Sequence, residues 1–412
     1  MTAAERKRPL VGNSLWAMIG NVAYALTQWV TLVLIIQYGS VEMAGDYGYA
    51  LAVTAPVFLL LNLQLRSLLA TEQGRDILWA QYLTLRMATS SLGLAICLAL
   101  SLFPAFHVSS QIIALTAACK LVESLSELYY GNLQRQEQMK AVALSQMMKG
   151  VGTLIVTAVL IIRLGDLRIA LLGMLVVWLT VFIGYDVRQG AYRFAIDFGA
   201  WRRIKPIMAL GLPLGFVLMV LSLTENIPRY FIEHHGGVAA LGIYSAIAYF
   251  KIAGGTLVNA IGQSASQRLA KLYAEGQAVL FRTLIVRLIA TAGGIGLAGI
   301  AIVLLAGKLI LSLFYGPAFE PYEDLFLIVM IASAISYAGS VMGYVMTACR
   351  MIKIQPYLYT AVCLVSLAGS YAWIPAHGLK GAAMVLILHA AAQLLLSAAV
   401  TYRTLKRKGV FG

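Results

Sequence analysis

Residues 151–162 and 171–184 contain no charged side chain at all. Uncharged runs of this kind constrain the fold more than any motif in the chain. Lipid offers no hydrogen-bond partner to a free backbone group, so a long apolar segment that enters it must be a helix or part of a closed barrel. A barrel needs short alternating strands and polar stretches, and neither pattern is present. The composition agrees. Apolar residue types make up 60% of the 412 residues and charged types 12%, against about 25% charged in a soluble domain. With about 20 mostly apolar residues needed per crossing, the sequence predicts twelve spans. Six run near 13–37, 47–65, 84–105, 109–133, 141–162 and 168–186, and six near 206–227, 238–263, 284–307, 323–349, 353–374 and 380–402.

The N-terminal Glu5-Arg6-Lys7-Arg8 precedes an apolar run too long for a signal peptide. Of the 31 Lys and Arg residues, 23 fall in segments on the side of the N-terminus, 5 on the opposite side and three within spans. Lys and Arg accumulate in cytoplasmic loops, so both termini are expected in the cytoplasm. The net charge of +14 is thereby spread over many loops and a tail. It sets topology and meets anionic headgroups rather than nucleic acid. Cys97, Cys119, Cys349 and Cys363 all lie in apolar spans without metal-ligand spacing and are expected to pack.

A short phrase occurs twice. Gly39, Val41, Gly45 and Tyr47 are echoed by Gly236, Val238, Gly242 and Tyr244, at the step after the first and the seventh span. A weaker echo links residues 167–177 to 379–389. Six crossings preserve direction, so two halves in the same orientation are expected, related by an axis along the membrane normal. The predicted organisation is an N-terminal lobe over 1–187, a basic cytoplasmic linker over 188–205 and a C-terminal lobe over 206–412. The four repeated glycines are expected to make the turns, because glycine takes a positive φ without steric cost.

Charges within spans are the sharpest local signal, since each costs about 2.5–3.5 kcal/mol or more at the bilayer centre and therefore faces a cavity or a partner. In the fourth span Lys120, Glu123 and Glu127 share one helix face. Lys120 and Glu123 can pair locally, leaving Glu127 over. The stripe is either an interhelical polar contact or the wall of a water-filled path. Lys149 can either line a cavity or snorkel. Lys251 has no acid close in sequence, which favours a cavity or ligand role. Polar stripes at Asn21, Tyr24 and Gln28, and at His389 and Gln393, fit interhelical hydrogen bonds. Near the outer end of the seventh span Glu225, Asn226, Pro228 and Arg229 lie together. Arg229 there is either a gate or phosphate contact or a headgroup anchor. An embedded set of three lysines against two glutamates suits an anionic ligand. No Walker loop, zinc spacing, catalytic carboxylate cluster or cofactor motif is present. A secondary transporter, a channel or a scaffold remain, and no enzyme is expected.

Three segments carry a resemblance. "KLVESLSELYYGNLQRQEQM" (120–139), "NIPRYFIEHHGGVAALGIYSAIAYF" (226–250) and "NAIGQSASQRLAKLYAEG" (259–276) resemble bacterial polysaccharide flippases. These include O-antigen flippases of lipopolysaccharide synthesis, and belong to the multidrug/oligosaccharidyl-lipid/polysaccharide exporter superfamily. The opening hairpin looks similar as well. The resemblance implies an all-α polytopic membrane fold of about twelve helices in two lobes around a central cavity. It implies a substrate of undecaprenyl-diphosphate-linked oligosaccharide, carried from the inner to the outer leaflet of the cytoplasmic membrane. Membrane lipids, a glycan polymerase and glycosyltransferases are the partners it points to. Lys120, Glu123, Glu127 and Arg229 fall in the matching motifs; Lys149 and Lys251 are added from their depth in the spans. Lys120, Lys149, Lys251 and Arg229 are the expected substrate contacts. Glu123 or Glu127 is the expected proton carrier, because desolvation moves a carboxyl group toward neutrality. A drug or metabolite exporter on the same plan and a non-transporting scaffold for glycan enzymes stay open as alternatives.

Overall fold

The computed structural model describes residues 3–71, 79–102, 109–190 and 201–407. Arg75, Arg193, Asp197 and Lys408 lie outside the described residues, as does the 191–200 portion of the expected linker. Among the described residues there are helices and no strands. In chain order they are α1 (Ala3–Leu34), α2 (Val41–Leu61), α3 (Leu65–Thr71), α4 (Trp79–Ser101), α5 (Ser110–Arg135), α6 (Met139–Leu164) and α7 (Leu167–Val181). The short α8 (Val187–Gln189), α9 (Trp201–Ala274), α10 (Ala278–Tyr315), α11 (Glu323–Ala348) and α12 (Gln355–Arg407) complete the chain.

Two of these are too long for one crossing. At 1.5 Å per residue, the 74 residues of α9 would extend far beyond a hydrocarbon core about 30 Å thick. The helix breaks at Gly237, where φ is 78° and ψ 177°, a backbone shape that L side chains resist. The return is visible in the contacts: Glu225 and Lys251, on opposite sides of the break, meet at 2.6 Å. In α12 the break is Gly378, with φ 56°, and Gly369 then packs against Leu388 and Val385. Nine described stretches are long and apolar enough to cross a bilayer. Dividing α9 and α12 at these glycines adds two more; α10 is also interrupted, at Ala306 (φ −141°), but the piece that follows is too short to cross. The twelfth is α5, 26 residues long, which stands outside the nine and carries the Lys120, Glu123 and Glu127 stripe. The chain is an all-α, polytopic membrane protein.

The repeated phrase sits at corresponding breaks, between α1 and α2 and within α9. None of Gly39, Gly45, Gly236 and Gly242 takes a positive φ, contrary to expectation. The first turn is made by a π-helical turn, Ile35–Gly39, followed by Ser40 in extended backbone (φ −150°). Ser40 then caps α2, its hydroxyl accepting from the Met43 amide at 3.2 Å. In the second copy Gly237 turns the chain instead of its neighbour Gly236.

Helix α6 turns apolar residues outward and polar ones inward. On α6, Ile155, Val159 and Ile162 are exposed, while Ser145, Lys149, Thr153 and Thr157 are buried. That pattern inverts the soluble one, as lipid requires. The chain divides into two compact units, 1–222 and 223–412. The first part of α9 packs with the earlier unit: a Cβ on Gly211 would lie 2.5 Å from the Leu63 carbonyl oxygen. In the first unit Phe58, Cys97 and Ala117 form one core cluster and Tyr130, Leu133 and Val142 another. In the second unit Phe250 stacks near Phe326 with ring centres 4.6 Å apart, and the Tyr315 hydroxyl donates to the Ala246 carbonyl at 2.9 Å. Cys97, Cys119 and Cys349 are buried, Cys363 is partly buried, and none of the four forms a disulfide among the described residues.

Candidate functional site

In the first unit the charged stripe of α5 is paired along its length. Lys120 Nζ donates to Glu123 Oε2 at 2.7 Å, one turn away on the same helix, where i,i+3 neighbours meet. The Tyr24 hydroxyl donates to the other oxygen of Glu123 at 3.4 Å. Glu127, which has no local partner in sequence, accepts from Arg66 Nη1 at 3.1 Å. Arg66 reaches it because α2 and α3 are separated by a break in which Leu63 (φ 49°) and Gln64 (φ 50°) are both left-handed. Asn62 holds the break: its Oδ1 accepts from Ser124 Oγ at 2.8 Å and from the buried Arg86. All four groups of the two ion pairs are partly exposed.

The approach of α3 to α5 depends on Gly131. A Cβ there would lie 2.8 Å from the Arg66 carbonyl oxygen and 3.1 Å from its Cα. Both are backbone atoms and cannot rotate away. Gly131→Leu is expected to push the two helices apart, lose the Arg66–Glu127 pair and destabilise the protein by about 1–3 kcal/mol. A lowered melting temperature of the detergent-solubilised protein checks this; an unchanged one would mean that α3 yields without cost.

Lys149 is neither in an open space nor snorkelling. Its side chain is 4% exposed, and that of its partner Asp186 is 0% exposed. Lys149 Nζ donates to Asp186 Oδ2 at 2.7 Å, to the Tyr130 hydroxyl at 3.1 Å and to Ser126 Oγ. An ammonium has three donors, so none is left for a ligand in this state. Ser145 donates to the other Asp186 oxygen, and the Tyr130 hydroxyl lies 2.7 Å from Ser145 Oγ. The ring of partners is therefore closed. Asp186 ends a π-helical turn, Phe182–Asp186, that follows α7.

The second unit contains an open arrangement. Lys251 Nζ donates to both oxygens of Glu225, at 2.6 Å each. The lysine side chain is 11% exposed and the carboxylate 47%. Arg229 lies one turn from Glu225 on the same helix face and is partly exposed. Its charge acts on Glu225 and on the Tyr244 and Tyr249 hydroxyls. His389 of α12 is 2% exposed and lies in the field of Glu225 and Lys251 beside the Thr224 backbone, with neither ring nitrogen in hydrogen-bond geometry. Among these groups each unit has one cation more than carboxylates, Arg86 in the first and Arg229 in the second, with the buried Glu233 a further turn along the face of α9 that carries Glu225 and Arg229.

Sequence reasoning had not assigned Asp186, Arg66, Arg86 or Asn62 to a site. A lone carboxylate at the end of an apolar span, opposite a lone buried lysine, was the available sign for Asp186. Among the described residues no group of three or more His, Cys, Asp or Glu side chains could hold a metal ion.

Comparison with known proteins places this architecture. A family model described as "Polysaccharide biosynthesis protein" matches residues 10–267. The capsular polysaccharide biosynthesis protein CapF of Staphylococcus aureus is 26% identical over 382 residues, covering 92% of this chain and 96% of CapF. Among solved structures, an inward-facing multidrug resistance MATE family transporter of the MOP superfamily matches with a TM-score of 0.77 at 12% identity, over 93% of this chain and 95% of that one. The lipid II flippase MurJ, in an inward closed conformation, matches with a TM-score of 0.73 at 14% identity, over 95% and 87% of the two chains. At such identities the structural likeness is one of fold. Matched by the family model over more than half its length, the chain belongs to the polysaccharide biosynthesis protein family.

Proposed function

We propose that this protein is a secondary transporter that flips undecaprenyl-diphosphate-linked oligosaccharide from the inner to the outer leaflet of the bacterial cytoplasmic membrane. The mechanism is alternating access: two six-helix lobes, 1–187 and 206–412, rock about a central site, with the linker and both termini cytoplasmic. The observation that carries the reading is the partly exposed cluster of Lys251, Arg229 and Glu225, two cations to one carboxylate, set on apolar helices in a polysaccharide biosynthesis protein. A cluster of that sign attracts a diphosphate. The family match and the likeness in fold to a lipid flippase support the same direction. Lys120, paired with Glu123 and partly exposed, is the corresponding anion contact proposed in the first lobe. Glu123 or Glu127, paired with Lys120 and Arg66, is the proposed proton carrier there. Lys149, with its donors filled, takes no part in first contact with substrate. The glycosyltransferases and polymerase of the same glycan would supply and consume the flipped lipid.

The fold likeness to multidrug transporters gives a second reading, export of drugs or small metabolites. The cation excess weighs against organic cations as its substrates. Reconstitution separates the two. A fluorescently tagged short glycan on undecaprenyl diphosphate is placed in both leaflets of vesicles, and dithionite is added outside. With the protein present nearly all label is expected to bleach; in empty vesicles only the outer leaflet bleaches. Protection equal to that of empty vesicles, together with energised efflux of cationic dyes, would establish the exporter instead.

A further inference from the structure

The order of exposure in the second unit's cluster is unusual for a waiting anion site. Lys251, at 11% exposed, lies behind Glu225, at 47%. The carboxylate engages the ammonium with both oxygens at 2.6 Å, the same two-oxygen contact that a phosphate makes. An incoming anion meets the exposed Glu225 carboxylate and, one turn along the helix, the partly exposed Arg229 guanidinium. Only behind them does it reach the ammonium.

Resting on the flippase reading, we infer that Glu225 is a built-in stand-in for the substrate's diphosphate: it occupies Lys251 in the empty protein and is displaced when the diphosphate binds. The displaced carboxylate has two destinations at hand. One is Arg229, a single turn along the same face, where i,i+4 partners meet. The other is the buried His389, which already lies in the carboxylate's field beside the Thr224 backbone. Exchange of partners keeps the Lys251 ammonium paired through the cycle, so the empty site can return across the membrane without an orphaned buried ammonium. It also sets specificity. A ligand must compete with a bidentate carboxylate, which a diphosphate can do and a neutral sugar or a lone hydroxyl cannot.

Apparent affinity falls by the fraction of protein whose site is free, so removing the competitor must tighten binding. Farnesyl diphosphate is titrated into the full-length protein in detergent, with farnesol as the uncharged control. Glu225→Gln is expected to lower the Kd for farnesyl diphosphate about tenfold, to leave farnesol unchanged, and to lose the gain when combined with Lys251→Ala. Glu225→Ser serves where the glutamine variant fails to fold, and the same sign is expected. A merely structural pair predicts the opposite: loss of Glu225 would loosen the α9 hairpin and weaken binding. Equal or weaker binding by both variants, with the wild type still preferring farnesyl diphosphate to farnesol, overturns the inference and leaves the flippase reading standing. A wild type that does not distinguish the two ligands overturns both.

Discussion

Asp186→Ala is expected to be among the most damaging single substitutions in the chain, and to act through stability rather than through the transport site. It removes the paired carboxylate from a lysine that is 4% exposed and that lies on the buried stripe of α6. Ser126 and the Tyr130 hydroxyl would remain as dipolar partners for Nζ, but neither compensates a full charge. Breaking one side of a buried ion pair costs about 3–5 kcal/mol, because the surviving charge stays buried. Replacing both sides by uncharged groups of similar volume is often close to neutral. Lys149→Met with Asp186→Asn keeps an acceptor for Ser145 and leaves no charge behind. The double variant is therefore expected to recover most of the loss. Thermal unfolding of the purified protein in detergent checks the series. If Asp186→Ala and the double variant melt together, the pair is not a structural unit and Lys149 must find another acid.

The sequence made the local features legible, and distance in sequence marks where legibility ended. The inward face of α5 was readable because Lys120, Glu123 and Glu127 repeat at helical spacing. Lys120–Glu123 was readable as a pair because i,i+3 neighbours need no tertiary structure to meet. The Arg66–Glu127 and Lys149–Asp186 pairs span 61 and 37 positions, and only helix packing brings them together. Arg66 had a further disguise. It reads as a cytoplasmic loop charge unless the chain breaks at 62–64, and that break uses Leu63 and Gln64, not a glycine or proline. Such residues resist a positive φ, so no propensity rule marks them. What stabilises them is Asn62, held by Ser124 and Arg86, a tertiary contact again. In the second unit the Lys251–Glu225 pair follows from the position of Gly237. Once the chain reverses there, residues at similar distances on either side must face each other. The sequence carried the glycine pair 236–237 but not which of the two would turn.

Lys251→Ala is expected to leave the protein folded and to slow transport sharply. Its environment differs from that of Lys149 in the respect that matters: the partner carboxylate is 47% exposed, so deleting the ammonium strands no charge away from water. The substitution takes the cluster of Lys251, Arg229 and Glu225 from one net positive charge to none, and removes the donor proposed to bind the diphosphate. A hydrogen bond to a charged group contributes about 1.5–3 kcal/mol, and 1.4 kcal/mol is a factor of ten. The flipping rate is thus expected to fall by about ten- to a hundredfold at limiting substrate, with the melting temperature close to that of the wild type. Lys251→Arg should retain most activity, since guanidinium binds phosphate through two parallel donors. Arg229→Ala should act more mildly, as the loss of a first contact without the loss of the site. Rates from dithionite bleaching of reconstituted vesicles, paired with melting curves of the same preparations, give both axes. Wild-type flipping by Lys251→Ala would remove the anion site from α9 and direct attention to Lys120 on α5. A collapse of melting temperature would instead return Lys251 to the class of Lys149, a lysine that holds the fold and carries nothing.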